Sequence, residues 1–175
     1  MAPSTQQPRQ GVLKISGLNS SLRIATVNVD SMRGRSREVV AMLGRRRVEV
    51  CSVQEVRYSN GGTKIYGSDN EKYKFWWSGG GEGRAGVRIL VKEEWVESVI
   101  EVIRWDDRMM KIKLVVGEKV LNIFSVYAPR QGRPDEEKEE VREKLSDIIS
   151  EVSRGDIVIV AGDINAHIGR DNGWI

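Results

Sequence analysis

Asp163 and Asn165 follow the apolar run Ile157-Val158-Ile159-Val160-Ala161, separated from it by Gly162. A run of this kind reads as a strand buried on both faces, so the residues after it lie at its carboxyl end, where open sheets usually place their chemistry. Residues alternate faces along a strand. Asp163 and Asn165 therefore point the same way, and Gly162 leaves room for a ligand beside the backbone. A carboxylate and a carboxamide placed there form a candidate reactive pair. The competing reading is a Gly-Asp turn with an Asn cap, and for this segment alone the turn is the commoner case.

Further polar residues occupy the same kind of position. Leu22 to Val29 and Val48 to Glu55 are strand patterns that reach Asn28 and Glu55 at their ends. Between them, Arg35 to Arg47 carries a short helical pattern, with Val39, Val40 and Leu43 on one side and Arg37, Arg45 and Arg46 on the other. A strand-helix-strand unit favours parallel neighbours with aligned carboxyl ends, which makes Asn28 and Glu55 neighbours. In Val120 to Pro129, alternation places Leu121, Ile123, Ser125 and Tyr127 on one face, and Pro129 stops the ladder. A single strand-terminal Asn, Glu or Tyr is ordinarily a solvated end or half-buried filling. Convergence of several is what points to a site.

The succession Val27-Asn28-Val29, Val53-Gln54-Glu55-Val56, Ser78-Gly79-Gly80 through Gly86 to Val91, Val126-Tyr127-Ala128-Pro129 and Gly162-Asp163-Ile164-Asn165-Ala166-His167 resembles the endonuclease/exonuclease/phosphatase superfamily. Within it, the chain is most similar to the apurinic-endonuclease-type domain that opens the polyprotein of non-LTR retrotransposons. The resemblance runs from about Leu22 to Gly169, with the motifs in family order. It implies an α+β fold, a four-layer α/β/β/α sandwich of the DNase I type with a mixed sheet and flanking helices. It also implies that Glu55 ligates Mg²⁺, with Mn²⁺ as an alternative, and that Asn28 supports that metal site. Asp163 would orient and activate the attacking water, Asn165 would hold the scissile phosphate, and the Tyr127 hydroxyl would contact that phosphate. Hard oxygen ligands of this kind suit Mg²⁺, which keeps several waters and takes few carboxylates. The implied reaction is phosphodiester hydrolysis on DNA.

The chain departs from the family pattern in two places. Val27 stands where the family has a tryptophan, which removes an aromatic but no catalytic atom. The later Ser-Asp-His motif is missing, and His167, the only histidine, reads as a loop or packing residue. The resemblance thus implies the N-terminal half of the sandwich, a domain over 22–175 whose second half is lacking, and weak or no turnover by the isolated chain. On that reading the inner face of one sheet needs a cover: a homodimer, another partner, or the remainder of a longer protein.

Met1 to Ser21 is rich in Gln, Pro and Ser with little periodicity, and reads as a mostly disordered leader. It has no long apolar stretch, so neither a secretory signal nor a membrane span is expected. One cysteine, Cys51, excludes an internal disulfide framework, and one cysteine with one histidine excludes a structural zinc site within the chain. An intracellular setting follows as the default, and nuclear action is implied by the resemblance.

The net charge is only +3, so its distribution matters more than its total. Arg33, Arg35 and Arg37, then Arg45, Arg46 and Arg47, flank the first helix pattern, and Arg130 and Arg133 follow Tyr127. A basic rim near a phosphodiester site attracts nucleic-acid backbone without reading sequence, while a solubilising helix face is the equal alternative. Asp135 to Glu140 opens a helix behind Pro134, with a stripe of Val141, Leu145, Ile148, Ile149 and Val152. Tyr73 to Ser78, Gly86 to Lys92, Val96 to Trp105, Met109 to Val116 and Val120 to Tyr127 read as antiparallel scaffold. Gly79 to Gly83 precedes a strand, so no phosphate-cradling loop is expected there, and Asp106 with Asp107 reads as a turn. Two other functions stay open: a catalytically dead copy that binds DNA or protein, and a phosphatase of the same fold.

Overall fold

Short apolar runs divided by Gly, Asp and basic residues give strands, and two stretches with helical periodicity give helices. The computed structural model describes residues 10–15, 21–29, 35–55, 60–68, 71–80, 86–129 and 132–164. In chain order the elements are β1 (Gln10–Ile15), β2 (Leu22–Asn28), α1 (Ser36–Arg45), β3 (Val50–Gln54), β4 (Gly62–Ser68), β5 (Glu71–Ser78), β6 (Val87–Lys92), a 3-10 turn (Glu93–Ser98), β7 (Val99–Arg104), β8 (Met109–Val116), β9 (Lys119–Tyr127), α2 (Asp135–Ser150) and β10 (Ile157–Asp163).

The strands form a six-stranded sheet, β1-β2-β3-β6-β5-β4, and a four-stranded sheet, β10-β9-β8-β7. The 3-10 turn carries the chain from β6 in the first sheet to β7 in the second. One apolar cluster joins both sheets, with Ile24, Val50 and Ile89 from the first meeting Ile112, Leu121 and Ile123 from the second. The outer face of the larger sheet is closed by α1, whose Val39, Val40 and Leu43 meet Val27, Cys51, Val53 and Phe75. The outer face of the smaller sheet is closed by α2, whose Val141, Leu145, Ile148 and Ile149 meet Phe124 and Val126. Helix, sheet, sheet, helix is the four-layer arrangement expected from the motifs.

Some expectations are corrected. Much of the inner face of the six-stranded sheet packs against β7 to β10 of the same chain, while Ile65 on the β4 edge stays exposed. The expectation assigned the whole chain to one sheet, but the 3-10 turn redirects it into two. Part of the supposed leader, Gln10–Ile15, is a strand that pairs antiparallel with β2. Its backbone pairs with the otherwise open edge of β2 and satisfies the hydrogen-bonding groups there. β4 shows no apolar alternation in sequence, because Ile65 and Tyr66 are adjacent, point to opposite faces and stand alone between Gly62 and Gly67. Val96 to Ser98 is helical turn instead of strand.

What positions the site is the pairing of strand ends. β2 and β3 are parallel with Asn28 opposite Gln54, and β9 and β10 are parallel with Asp163 opposite Tyr127. Both pairs present their carboxyl ends to the same end of the sandwich.

Candidate active site between the two sheets

Asn28 and Glu55 come from the larger sheet, Tyr127 and Asp163 from the smaller. Asn28 Nδ2 donates to Glu55 Oε1 at 3.2 Å and to Asp163 Oδ2 at 3.3 Å, so one carboxamide bridges two carboxylates carried by different sheets. The Tyr127 hydroxyl donates to the same Glu55 Oε1 at 3.2 Å. Glu55 and Tyr127 are buried, whereas Asn28 and Asp163 are half-buried and form the open side.

Strict alternation would send Glu55 to the outer face with Cys51 and Val53. A left-handed backbone at Glu55, φ +63°, turns the chain and brings the carboxylate inward. Such a conformation is costly for a residue with a Cβ and persists where surrounding contacts dictate it, as at functional sites. Gly162 also differs from expectation. Its φ of +153° and the approach of Val126, whose carbonyl oxygen would lie 1.9 Å from an added Cβ, show that the missing side chain admits β9 backbone and not a ligand.

The other predicted residues divide. Asn165, Arg33 and Arg130, with His167, lie outside the described residues. Arg35 and Arg37 are exposed at the start of α1, Arg35 in an ion pair with Glu38 at 3.7 Å. Arg45, Arg46 and Arg47 are not part of a rim around this site. The Arg23 guanidinium donates to the Arg46 carbonyl, which fixes that cluster at the amino end of β2, about 17 Å from Asn28 at ~3.3 Å per strand residue. In a strand-helix-strand unit the helix returns the chain to the opposite end, a fact that nearness in sequence conceals.

One neighbouring side chain went unnoticed. The Arg108 guanidinium lies 5.5 Å from the centre of the Tyr127 ring and donates to the Tyr127 carbonyl at 3.3 Å. Asp106, read as a turn residue, also accepts the Arg108 backbone N–H at 2.8 Å. An arginine directly after two aspartates and before a strand is the signal that was available.

The donor set of two carboxylates, a carboxamide and a phenol is all hard oxygen apart from the amide nitrogen. It fits a small divalent ion such as Mg²⁺ or Mn²⁺, which takes one or two carboxylates and keeps its waters. Among the described residues there is no cluster of three or more His, Cys, Asp or Glu, so a closed all-protein cage of the zinc type is not formed there. No described helix is long and apolar enough to cross a membrane.

Known structures share this architecture. An AP endonuclease from Archaeoglobus fulgidus superposes with a TM-score of 0.62 at 22% identity, over 85% of this chain and 59% of that one. D. rerio TDP2 complexed with single-strand DNA product gives 0.53 at 15% identity, over 79% and 56%. The endonuclease domain of TRAS1, a telomere-specific non-LTR retrotransposon, gives 0.56 at 16% identity, over 84% and 62%. The chain thus spans little more than half the length of these proteins. No curated protein matches it by sequence. The sequence pattern of the endonuclease/exonuclease/phosphatase family matches residues 25–174, and the chain belongs to that family.

Proposed function

We propose that the chain is a Mg²⁺-dependent phosphodiesterase domain of the retrotransposon endonuclease type, acting on DNA, nuclear in setting, and weak in turnover as the isolated chain. Within the family, its motifs resemble those of the domain that opens non-LTR polyproteins and of the host-genome copies called craniofacial development protein 2. The observation that carries the functional reading is Asn28 Nδ2 bridging Glu55 and Asp163 across the two sheets, with the Tyr127 hydroxyl on Glu55.

Glu55 and Asn28 would hold the ion, which when bound supplies polarisation of phosphate oxygens. Asp163, half-buried and restrained by Asn28, accepts a proton as water attacks phosphorus and the bridging P–O bond breaks. The Tyr127 phenol is a neutral donor for a phosphate oxygen, and Arg108 behind its ring supports it. The family likeness and the DNA-bound TDP2 structure support a nucleic-acid substrate.

The test is nicking of supercoiled plasmid and cleavage of abasic-site DNA, with Mg²⁺ and with chelator. Metal-dependent nicking should fall about 1,000-fold in Glu55→Ala and Asp163→Ala, the scale of losing a charge-stabilising group. DNA binding that survives both changes without any nicking would instead favour a non-catalytic binding domain. Phosphate release from small phosphoesters but not from DNA would favour a phosphatase.

A further inference from the structure

Directly beneath the site lies a second polar tier, drawn from the same strands. Ser52 Oγ is 2.7 Å from Ser125 Oγ and 3.1 Å from the Ala161 carbonyl oxygen. It also accepts a hydrogen bond from Gln54 Nε2 at 2.7 Å, and Gln54 Oε1 accepts one from Thr26 Oγ1 at 3.3 Å. Ser52 and Ser125 have no exposed surface and Gln54 has 1%. Thr26 lies two residues before Asn28, Gln54 one before Glu55, Ser125 two before Tyr127 and Ala161 two before Asp163. Each strand that delivers a site residue thus also delivers a member of this tier.

We propose that Ser52, Gln54 and Ser125 form a register lock between the sheets, positioning residues that bring Glu55 and Asn28 into reach of Tyr127 and Asp163 around one divalent cation; this rests on the metal-dependent reading above. The sheets otherwise meet through side chains such as Val50, Ile89, Ile112 and Ile123. Apolar contact resists separation but has no direction, so it tolerates a small slide of one sheet over the other. A site divided between sheets does not tolerate one, because ligands must be held to within about 0.5 Å. Buried hydroxyls and carboxamides are costly unless partnered; Ser52 finds its partners on the opposite sheet, at Ser125 and the Ala161 carbonyl, while Gln54, bonded to Ser52 and Thr26 of its own sheet, orients the Ser52 hydroxyl, so the inter-sheet contacts hold in only one register. Placed anywhere else in the inter-sheet core, the same groups would stabilise the fold without fixing the site.

The lock is tested on the 175-residue chain by titrating Mn²⁺, reading the free ion by electron paramagnetic resonance, with melting temperature measured in parallel. Ser125→Ala is the mild cut, since Ser52 keeps Ala161 and Gln54. Gln54→Met is a second cut, which leaves Ser125 and Ala161 in place and removes the donor that orients the Ser52 hydroxyl. Each should weaken Mn²⁺ affinity about 10-fold, the usual effect of removing a group that orients a ligand. Ser52→Ala combined with Ser125→Ala should cost less than the sum of the single changes, because both remove one shared contact. Ile112→Val, an apolar trim in the same core, should lower the melting temperature and leave affinity unchanged. Affinity within twofold of the unaltered chain in Ser125→Ala and Gln54→Met, or equal loss in Ile112→Val, overturns the lock alone. An unaltered chain that binds no Mn²⁺, or binding that survives Glu55→Gln, overturns the functional reading and the lock together.

Discussion

β3 and β10 are alike in sequence character, alike in having a parallel neighbour, and alike in delivering a carboxylate at the carboxyl end, yet they are buried very differently. All of Val50–Gln54 is buried, whereas in Ile157–Asp163 only Ala161 is, and Val158 is 37% exposed. The cause is position. β3 lies between β2 and β6, under α1 and over the second sheet, while β10 ends its sheet with β9 as its only strand neighbour among the described residues. Its helical cover is also looser, for α2 has no fully buried residue and α1 has Ser36, Val39, Val40 and Leu43. An apolar run states what a strand can bury, and its neighbours decide how much it does. The site therefore joins a firmly held carboxylate, Glu55, to one on a less enclosed strand, Asp163.

The sharpest way to break the contrast is to loosen β10 at its close approach to β9. Gly162→Ala places a methyl 1.9 Å from the Val126 carbonyl oxygen at φ +153°, so β9 and β10 must separate locally. A loss of about 3 kcal/mol or more in denaturant unfolding is expected. Gly155→Ala, with nothing within 4 Å of the added carbon, should be near neutral, and equal losses at the two glycines would remove the case for a backbone contact.

The same contrast shows what was legible. β2, β3, β9 and β10 could be read from runs of apolar residues ending in polar ones, and the strand-helix-strand unit makes Asn28 and Glu55 neighbours, because strand periodicity is a local rule; that Tyr127 and Asp163 join them is implied by the family resemblance. Three features could not. The inward turn of Glu55 depends on a backbone angle that no residue type demands. The Ser52, Gln54 and Ser125 tier looks in sequence like isolated polar positions in core strands, and only the meeting of two sheets supplies their partners. The separation of Arg45 to Arg47 from the site is a matter of helix direction, which reverses what closeness in sequence suggests.

A milder probe compares single valines on the outward faces. Val53→Ala, at 0% exposure beneath α1, should cost about 2 kcal/mol through lost burial and a residual cavity. Val158→Ala, at 37% exposure, should cost about 0.5 kcal/mol. Equal costs, measured by urea titration with unchanged slopes, would mean that β10 is enclosed as tightly as β3 in solution.

The last comparison is set by pH. Cys51 on β3 lies in the α1-facing core, and burial raises its thiol from 9.0 to about 12. β10 has no ionisable group before Asp163. The folded state thus keeps the proton while the unfolded chain releases it, so the stability is complete below pH 9 and declines as pH rises from 9 towards 12. At pH 10 the thiol's share of the decline is on the order of 1 kcal/mol. Tyr73 adds to it at higher pH, since burial first and the carboxylates of Glu71 and Glu49 next raise its phenol, which donates to the Val48 carbonyl at 2.6 Å. Cys51→Ala should lower the whole stability curve through lost packing yet flatten it between pH 9 and 10. A variant curve parallel to that of the unaltered chain across this interval would mean that the thiol is reached by water, and with it that the centre of β3 is no better sealed than β10.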